Sequence, residues 1–264
     1  MSQECLPKDD AGCAKRLSRL LEFLHRSPSP WHATANMAQR LEDAGYRRLL
    51  ETDSWDLVPG DRFYVTRNDS SIIAVNLPKG QPVTSLRMVG AHTDSPNLRL
   101  KTHAGQTSAG WLQLGVQVYG GALLAPWFDR DLGLAGRLHV RHADGRVEGV
   151  LLNVAEAIAI IPSLAIHLDR EANDGKAMNA QTQMAPVVLQ GGKDDDLDRL
   201  LLAWLEQEHG LTGVKVLDFE LGFYDLQPPS LVGVGKELIA SARLDNLLSC
   251  FIGLEAMLDA DGEQ

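Results

Sequence analysis

Cysteine is scarce in this 264-residue chain: Cys5, Cys13 and Cys250 are an odd set without paired spacing. That excludes a disulfide framework and points to a reducing compartment. No block of lysine and arginine offsets the net charge of −10, so a nucleic-acid partner, which would need basic patches, is not expected. The most apolar run, VLLNVAEAIAIIPSLAIHL, is interrupted by Glu156 and Pro162 and cannot span a bilayer as one helix. The opening MSQECLPKDDAG lacks the charged-then-apolar layout of a signal peptide. These absences together predict a cytoplasmic protein with no membrane partner. There is also no internal repeat and no low-complexity stretch.

What is present is ordinary globular composition, 44% apolar and 23% charged. Leu17, Leu20, Leu21 and Leu24 recur at helical spacing, and RSPSP ends that helix. Pro30 suits the first turn of a second helix carrying Met37 and Leu41, which Gly45 stops. DRFYVTR and SIIAVNL, separated by NDS, predict a hairpin, and SLRMVGAH predicts a third strand. After Pro96 the pattern alternates: GWLQLGVQVYGG reads as a sheet with one wet face, and Asp144-Gly145 marks a hairpin inside GRLHVRHADGRVEGVLLNV. DDDLDRLLLAWLEQEHG predicts a helix whose Asp194, Asp195 and Asp196 suit its N-terminus better than a metal site. LIASARLDNLLSCFIGLEAML then returns to a strand, a polar turn and a helix built on Leu247, Phe251, Leu254 and Leu258. The expected organisation is an α/β domain over residues 1–96, a β-rich insertion over 97–235, and the α/β domain resumed over 236–264.

Two motifs carry candidate chemistry. In LRMVGAHTDSPNLRLK, an apolar run ends in His92 and Asp94, which share a face of an extended backbone. One histidine ring nitrogen can bind a metal while a carboxylate orients the other, although a strand-ending histidine beside an aspartate is equally a structural device. In SARLDN, Asp245 lies between strand and helix, where it can bridge two cations or simply cap the helix. The pair has the layout that a sheet-edge metal site built from distant segments requires.

The stretches SPSPWHA, TRNDSSIIA, GAHTDSPNLRLK, YGGALLAPWFDRDLGLAGR, IPSLAIHLDR and ARLDNLLSCF strongly resemble, in order, the aspartyl-aminopeptidase family of dinuclear zinc exopeptidases. The resemblance implies a zinc-exopeptidase-like, three-layer α/β catalytic domain interrupted by the β-rich, oligomerising insertion. It also implies removal of an N-terminal Asp or Glu from peptide substrates by water activated at two zincs. His92 matches a zinc ligand, Asp94 the catalytic-centre aspartate that supports it, and Asp245 the carboxylate bridging both zincs. His167 matches a histidine placed near the substrate of an adjacent subunit in a homo-oligomer of many subunits, although a structural histidine on a strand is an alternative. His167→Ala is then expected to lower turnover without removing zinc. WFDRDL is expected to be structural, with Asp129, Arg130 and Asp131 paired.

The family also uses a Glu-Glu pair and further aspartate and histidine ligands, for which this sequence offers no match: Glu255 and Glu263 are single and follow Asp245 too closely. The 264 residues are therefore expected to be an N-terminal portion, inactive alone and poorly behaved. Two other classes remain open: a zinc amidohydrolase acting on N-acyl amino acids, and a non-catalytic assembly protein.

Overall fold

The computed structural model describes residues 11–80, 83–175, 177–193 and 196–260. Its first elements are helices α1 (Ala11–Arg26) and α2 (Pro30–Asp43), then strands β1 (Arg47–Arg48), β2 (Arg62–Arg67) and β3 (Ser71–Asn76). Next come β4 (Asn97–Ser108), β5 (Trp111–Tyr119), β6 (Leu132–Arg141), β7 (Val147–Ala159), helix α3 (Ala180–Gln183) and β8 (Val187–Gln190). Helix α4 (Asp196–His209), β9 (Lys215–Asp225), β10 (Ser230–Val232), β11 (Leu238–Ala240) and helix α5 (Leu244–Asp259) complete the order. Two compact units result: Met1–Asp94 with Pro228–Gln264, and Ser95–Gln227. The changes of character expected at 96/97 and 235/236 thus fall at 94/95 and 227/228. The second moves further because β10 and β11 pair with each other as a hairpin of the first unit.

The first unit is built around three helices. α1 buries Leu20, Phe23 and Leu24, with Leu17 and Leu21 half-buried beside them. The proline-rich break after it becomes the start of α2: Ser29 is the N-cap, its Oγ accepting the His32 N–H at 3.4 Å, and Pro30 occupies the first turn. Asn36 Nδ2 donates to Arg26 O at 2.7 Å, fastening the end of α1 to α2. The SPSPWHA motif is therefore a helix junction. Leu247, Phe251 and Leu254 of α5 close this core together with Met37, Leu41 and Tyr64, and the Phe23 and Phe251 rings lie 5.9 Å apart. Beside it, β2 pairs antiparallel with β3 and parallel with β1. Asn68 and Asp69 take positive φ in the β2–β3 turn, as a tight hairpin requires.

The third strand expected at SLRMVGAH is absent. Residues 83–96 have no regular structure, and Leu86, Met88 and Val89 are 72%, 86% and 77% exposed. A strand exists only through a ladder with a neighbour. Among the described residues, no strand pairs with this run.

The second unit is a six-stranded antiparallel sheet in the order β7-β6-β9-β4-β5-β8. Alternate residues such as Leu98, Leu112, Leu114, Leu134, Leu138 and Phe223 form its core, joined by Leu201 and Leu205 of α4. The β6–β7 hairpin turns at Gly145, whose φ is 88°. Asp196 Oδ2 accepts the Lys193 N–H at 2.8 Å at the start of α4, which fits the structural reading of the aspartate run; Asp194 and Asp195 lie outside the described residues. In WFDRDL, Asp129 Oδ1 accepts the Ser163 N–H at 2.8 Å, Arg130 lies 3.4 Å from Asp225, and the Asp131 carbonyl accepts the Leu226 N–H at 3.1 Å.

Candidate metal centre

His92, Asp94 and Asp245 meet in the first unit. Asp245 stands at the irregular opening of α5, after Arg243 has turned the chain through φ 62°, ψ 17°. Arg243 Nη2 donates to Leu24 O at the end of α1 at 3.2 Å, so the three-helix core sets where this turn sits. Asp245 itself has φ −87°, ψ 107°, and its side chain is 90% exposed. Its carboxylate projects outward from the start of the helix.

The His92 ring is gripped on one side and open on the other. Nδ1 lies 2.9 Å from the Asp94 carbonyl and 3.3 Å from its carboxylate. A carbonyl oxygen can only accept, so this contact places a proton on Nδ1 and leaves Nε2 to face Asp245. Nε2 lies 3.4 Å from Asp245 Oδ1. Two electron-pair donors facing each other are favourable only with a cation or proton between them. Donors 2.0–2.2 Å from a tetrahedral zinc sit roughly 3.3–3.5 Å apart, so the observed spacing suits one shared ion. Among the described residues, no group of three or more His, Cys, Asp or Glu side chains is gathered to hold a metal.

The main chain around His92 is also held. Asn246 Oδ1 accepts the His92 N–H at 3.4 Å, and Cys250 Sγ donates to the His92 carbonyl at 3.2 Å. Burial, aided by the negative charge of Asp94, pushes the Cys250 thiol pKa up and keeps it a donor. Thr93 Oγ1 donates to Ser70 O in the β2–β3 turn at 2.8 Å. Sequence reasoning passed over these residues. The available signal was their place directly after Asp245, at the irregular opening of α5 and in its first regular turn.

Other expectations fall elsewhere. His167 lies in the second unit, exposed in the turn at Ile166–Leu168, so the strand alternative does not hold. Glu255 faces Arg16, Arg19 and Arg40 and is a structural anion of the helix core. Cys13 is exposed, while Cys5 and Glu263 lie outside the described residues. No helix of the described residues is long and apolar enough to cross a membrane.

His92, Asp94 and Asp245 thus meet on an α/β unit whose two stretches of chain flank a β-rich one. Residues 23–264 match the family model of the aminopeptidase I zinc metalloproteases (M18), and the chain belongs to that family. Among curated relatives, the probable M18 family aminopeptidase 2 of Pseudomonas entomophila is 56% identical over 248 residues, 93% of this chain and 58% of the relative. Its namesake in Pseudomonas aeruginosa PAO1 is 55% identical over the same shares. The chain thus spans 58% of the length of these relatives. Of solved structures, a chain in the cryo-EM structure of the Ape4 and Nbr1 complex is 35% identical with a TM-score of 0.90, over 96% of this chain and 52% of that one. Chaetomium thermophilum mApe1 is 34% identical with a TM-score of 0.82, over 92% and 58% respectively. The fold is that of the M18 aminopeptidases.

Proposed function

We propose that this chain supplies the His92–Asp245 part of a two-zinc aminopeptidase centre that removes one N-terminal residue, aspartate or glutamate, from peptides. The observation carrying this reading is the 3.4 Å approach of His92 Nε2 to Asp245 Oδ1, with Nδ1 already engaged by Asp94. His92 would ligate one ion through Nε2, Asp245 would bridge both, and Asp94 would fix the ring and its tautomer. Zinc, when bound, brings the pKa of its water to about 7 and polarises the scissile carbonyl. Asp94 engages Nδ1, so Nε2 is the ring nitrogen turned to the metal side.

A catalytic zinc generally takes three protein ligands plus water, whereas the described residues gather no group of three. Residues 1–264 alone are therefore expected to bind zinc weakly and not to turn over. The net charge of −10 opposes acidic substrates at long range, so selectivity requires a local lysine or arginine. His167 is proposed to reach the substrate of an adjacent subunit in a cytoplasmic homo-oligomer. Its exposed neighbours Leu164, Ile166 and Leu168 suit a surface covered by another copy.

The test is calorimetric zinc titration of the mass-verified chain. His92→Ala and Asp245→Asn should each weaken binding by more than about 100-fold, beyond the roughly 10–100-fold lost with a supporting contact, because each removes a ligand. Equal binding by the parent chain and both variants would overturn the site. Hydrolysis of aspartyl-p-nitroanilide by zinc-loaded residues 1–264 would overturn the expected inactivity.

A further inference from the structure

We infer that Asn246 and Cys250 are positioning residues: from the irregular opening of α5 and its first regular turn they clamp both main-chain polar groups of His92 and so fix its imidazole relative to Asp245. This rests on the metal-site reading above. Residues 83–96 have no regular structure, so no sheet ladder sets where His92 stands. Its N–H is accepted by Asn246 Oδ1 and its carbonyl accepts the Cys250 thiol, at 3.4 and 3.2 Å. Asn246 lies in the non-helical opening of α5 (φ −122°, ψ 21°) and Cys250 in the regular helix that follows, so the two form a forked mount joining the irregular turn to the helix.

The mount is stiff at its base. Cys250 is buried among Leu247, Phe251 and Leu254, and Asn246 is half-buried. It is also directly bonded to the other donor, because Asn246 follows Asp245. A displacement of α5 therefore carries the carboxylate and the histidine backbone together, which preserves the spacing between Nε2 and Oδ1. Thr93 Oγ1 on Ser70 O secures the following residue from the β2–β3 turn. Without the fork, His92 would depend on its own side-chain contacts to Asp94, two residues along the same irregular run. Those contacts orient the ring but cannot place it against α5.

The test uses residues 1–264 with two readouts: zinc affinity by titration, and hydrogen–deuterium exchange over 88–95 in the metal-free chain. Asn246→Leu keeps the shape and removes the acceptor; Cys250→Val removes the donor, and Cys250→Ser restores one. Asn246→Leu and Cys250→Val should each raise the zinc dissociation constant by about 10-fold, at the lower end for second-layer contacts, and speed exchange over 88–95. Cys250→Ser should recover most of both losses. Should Cys250→Val fail to fold, Asn246→Leu decides alone. The inference is overturned if Asn246→Leu leaves the dissociation constant and exchange within twofold of the parent while His92→Ala abolishes binding. If His92→Ala and Asp245→Asn bind zinc as the parent does, the metal site itself fails, but faster exchange in Asn246→Leu still reports the clamp.

Discussion

The Glu255 carboxyl is largely withdrawn from water, its side chain 12% exposed. Burial alone would push its pKa up, but hydrogen bonds from Arg19 and Arg40 outweigh that and hold it below the ordinary 4.5. A depressed carboxylate stabilises the fold above its unfolded pKa and loses that contribution as pH falls through the folded value. His32 acts in an earlier window. Burial lowers its pKa from 6.5 to about 4, so in that interval the unfolded chain binds the proton and the folded chain does not. Stability is fully present above pH 6.5 and declines towards pH 4 by roughly 2–3 kcal/mol. Acid unfolding of residues 1–264, followed by circular dichroism, should thus show two stages. Glu255→Gln should cost about 1–3 kcal/mol at neutral pH and flatten the stage below 4.5 while sparing the earlier one. At this scale the meeting of His92, Asp94 and Asp245 was expected from the family resemblance of GAHTDSP and RLDN, since their residue types alone left structural and capping readings open. Asn246 and Cys250 were not foreseen, since they act on a main chain 154 and 158 residues away.

Among the elements, β6 has the least tolerance. It runs between β7 and β9, and its Gly136 has φ 154°. A Cβ there would stand 2.0 Å from Glu220 O on β9. No side-chain rotation relieves a clash with a paired strand's main chain, so Gly136→Ala should cost about 2–4 kcal/mol in denaturant unfolding. Gly145→Ala is the control: its Cβ meets open space, and only the positive φ of 88° opposes it, for about 1–2 kcal/mol. Both glycines have positive φ, so the excess cost at Gly136 reports the crowding. Hairpins were the most readable elements, because Asp144-Gly145 and the NDS turn specify local geometry and strand alternation supplies the rest. SLRMVGAH failed for the complementary reason: its composition is strand-like, but a strand is defined by a partner that composition does not name.

For the whole molecule, that unpaired run is the dominant surface feature of the first unit. Leu86, Met88 and Val89, close together in sequence, expose most of their area. Adjacent exposed apolar side chains next to unpaired backbone favour association with other chains. Residues 1–264 should accordingly self-associate with rising concentration, and Leu86→Ser with Val89→Ser should lower the mass seen by light scattering. An unchanged mass would show that this run is not the adhesive surface. The division into an α/β unit and a β-rich unit was visible in the shift to alternating strands after Pro96. The return point was displaced because β10 and β11 are short and pair only locally.

The first unit consists of two stretches of chain with the whole of the second unit between them. During synthesis at about 5–20 residues per second, the ribosome needs roughly 8–30 s to travel from His92 to Asn246. Throughout that interval α1 and α2 lack the helix that closes their core, whereas the β-rich unit has every strand it needs once Asp225 has been made, before α5 begins. The second unit can therefore fold before the first, and the histidine waits for its carboxylate until that unit has been made.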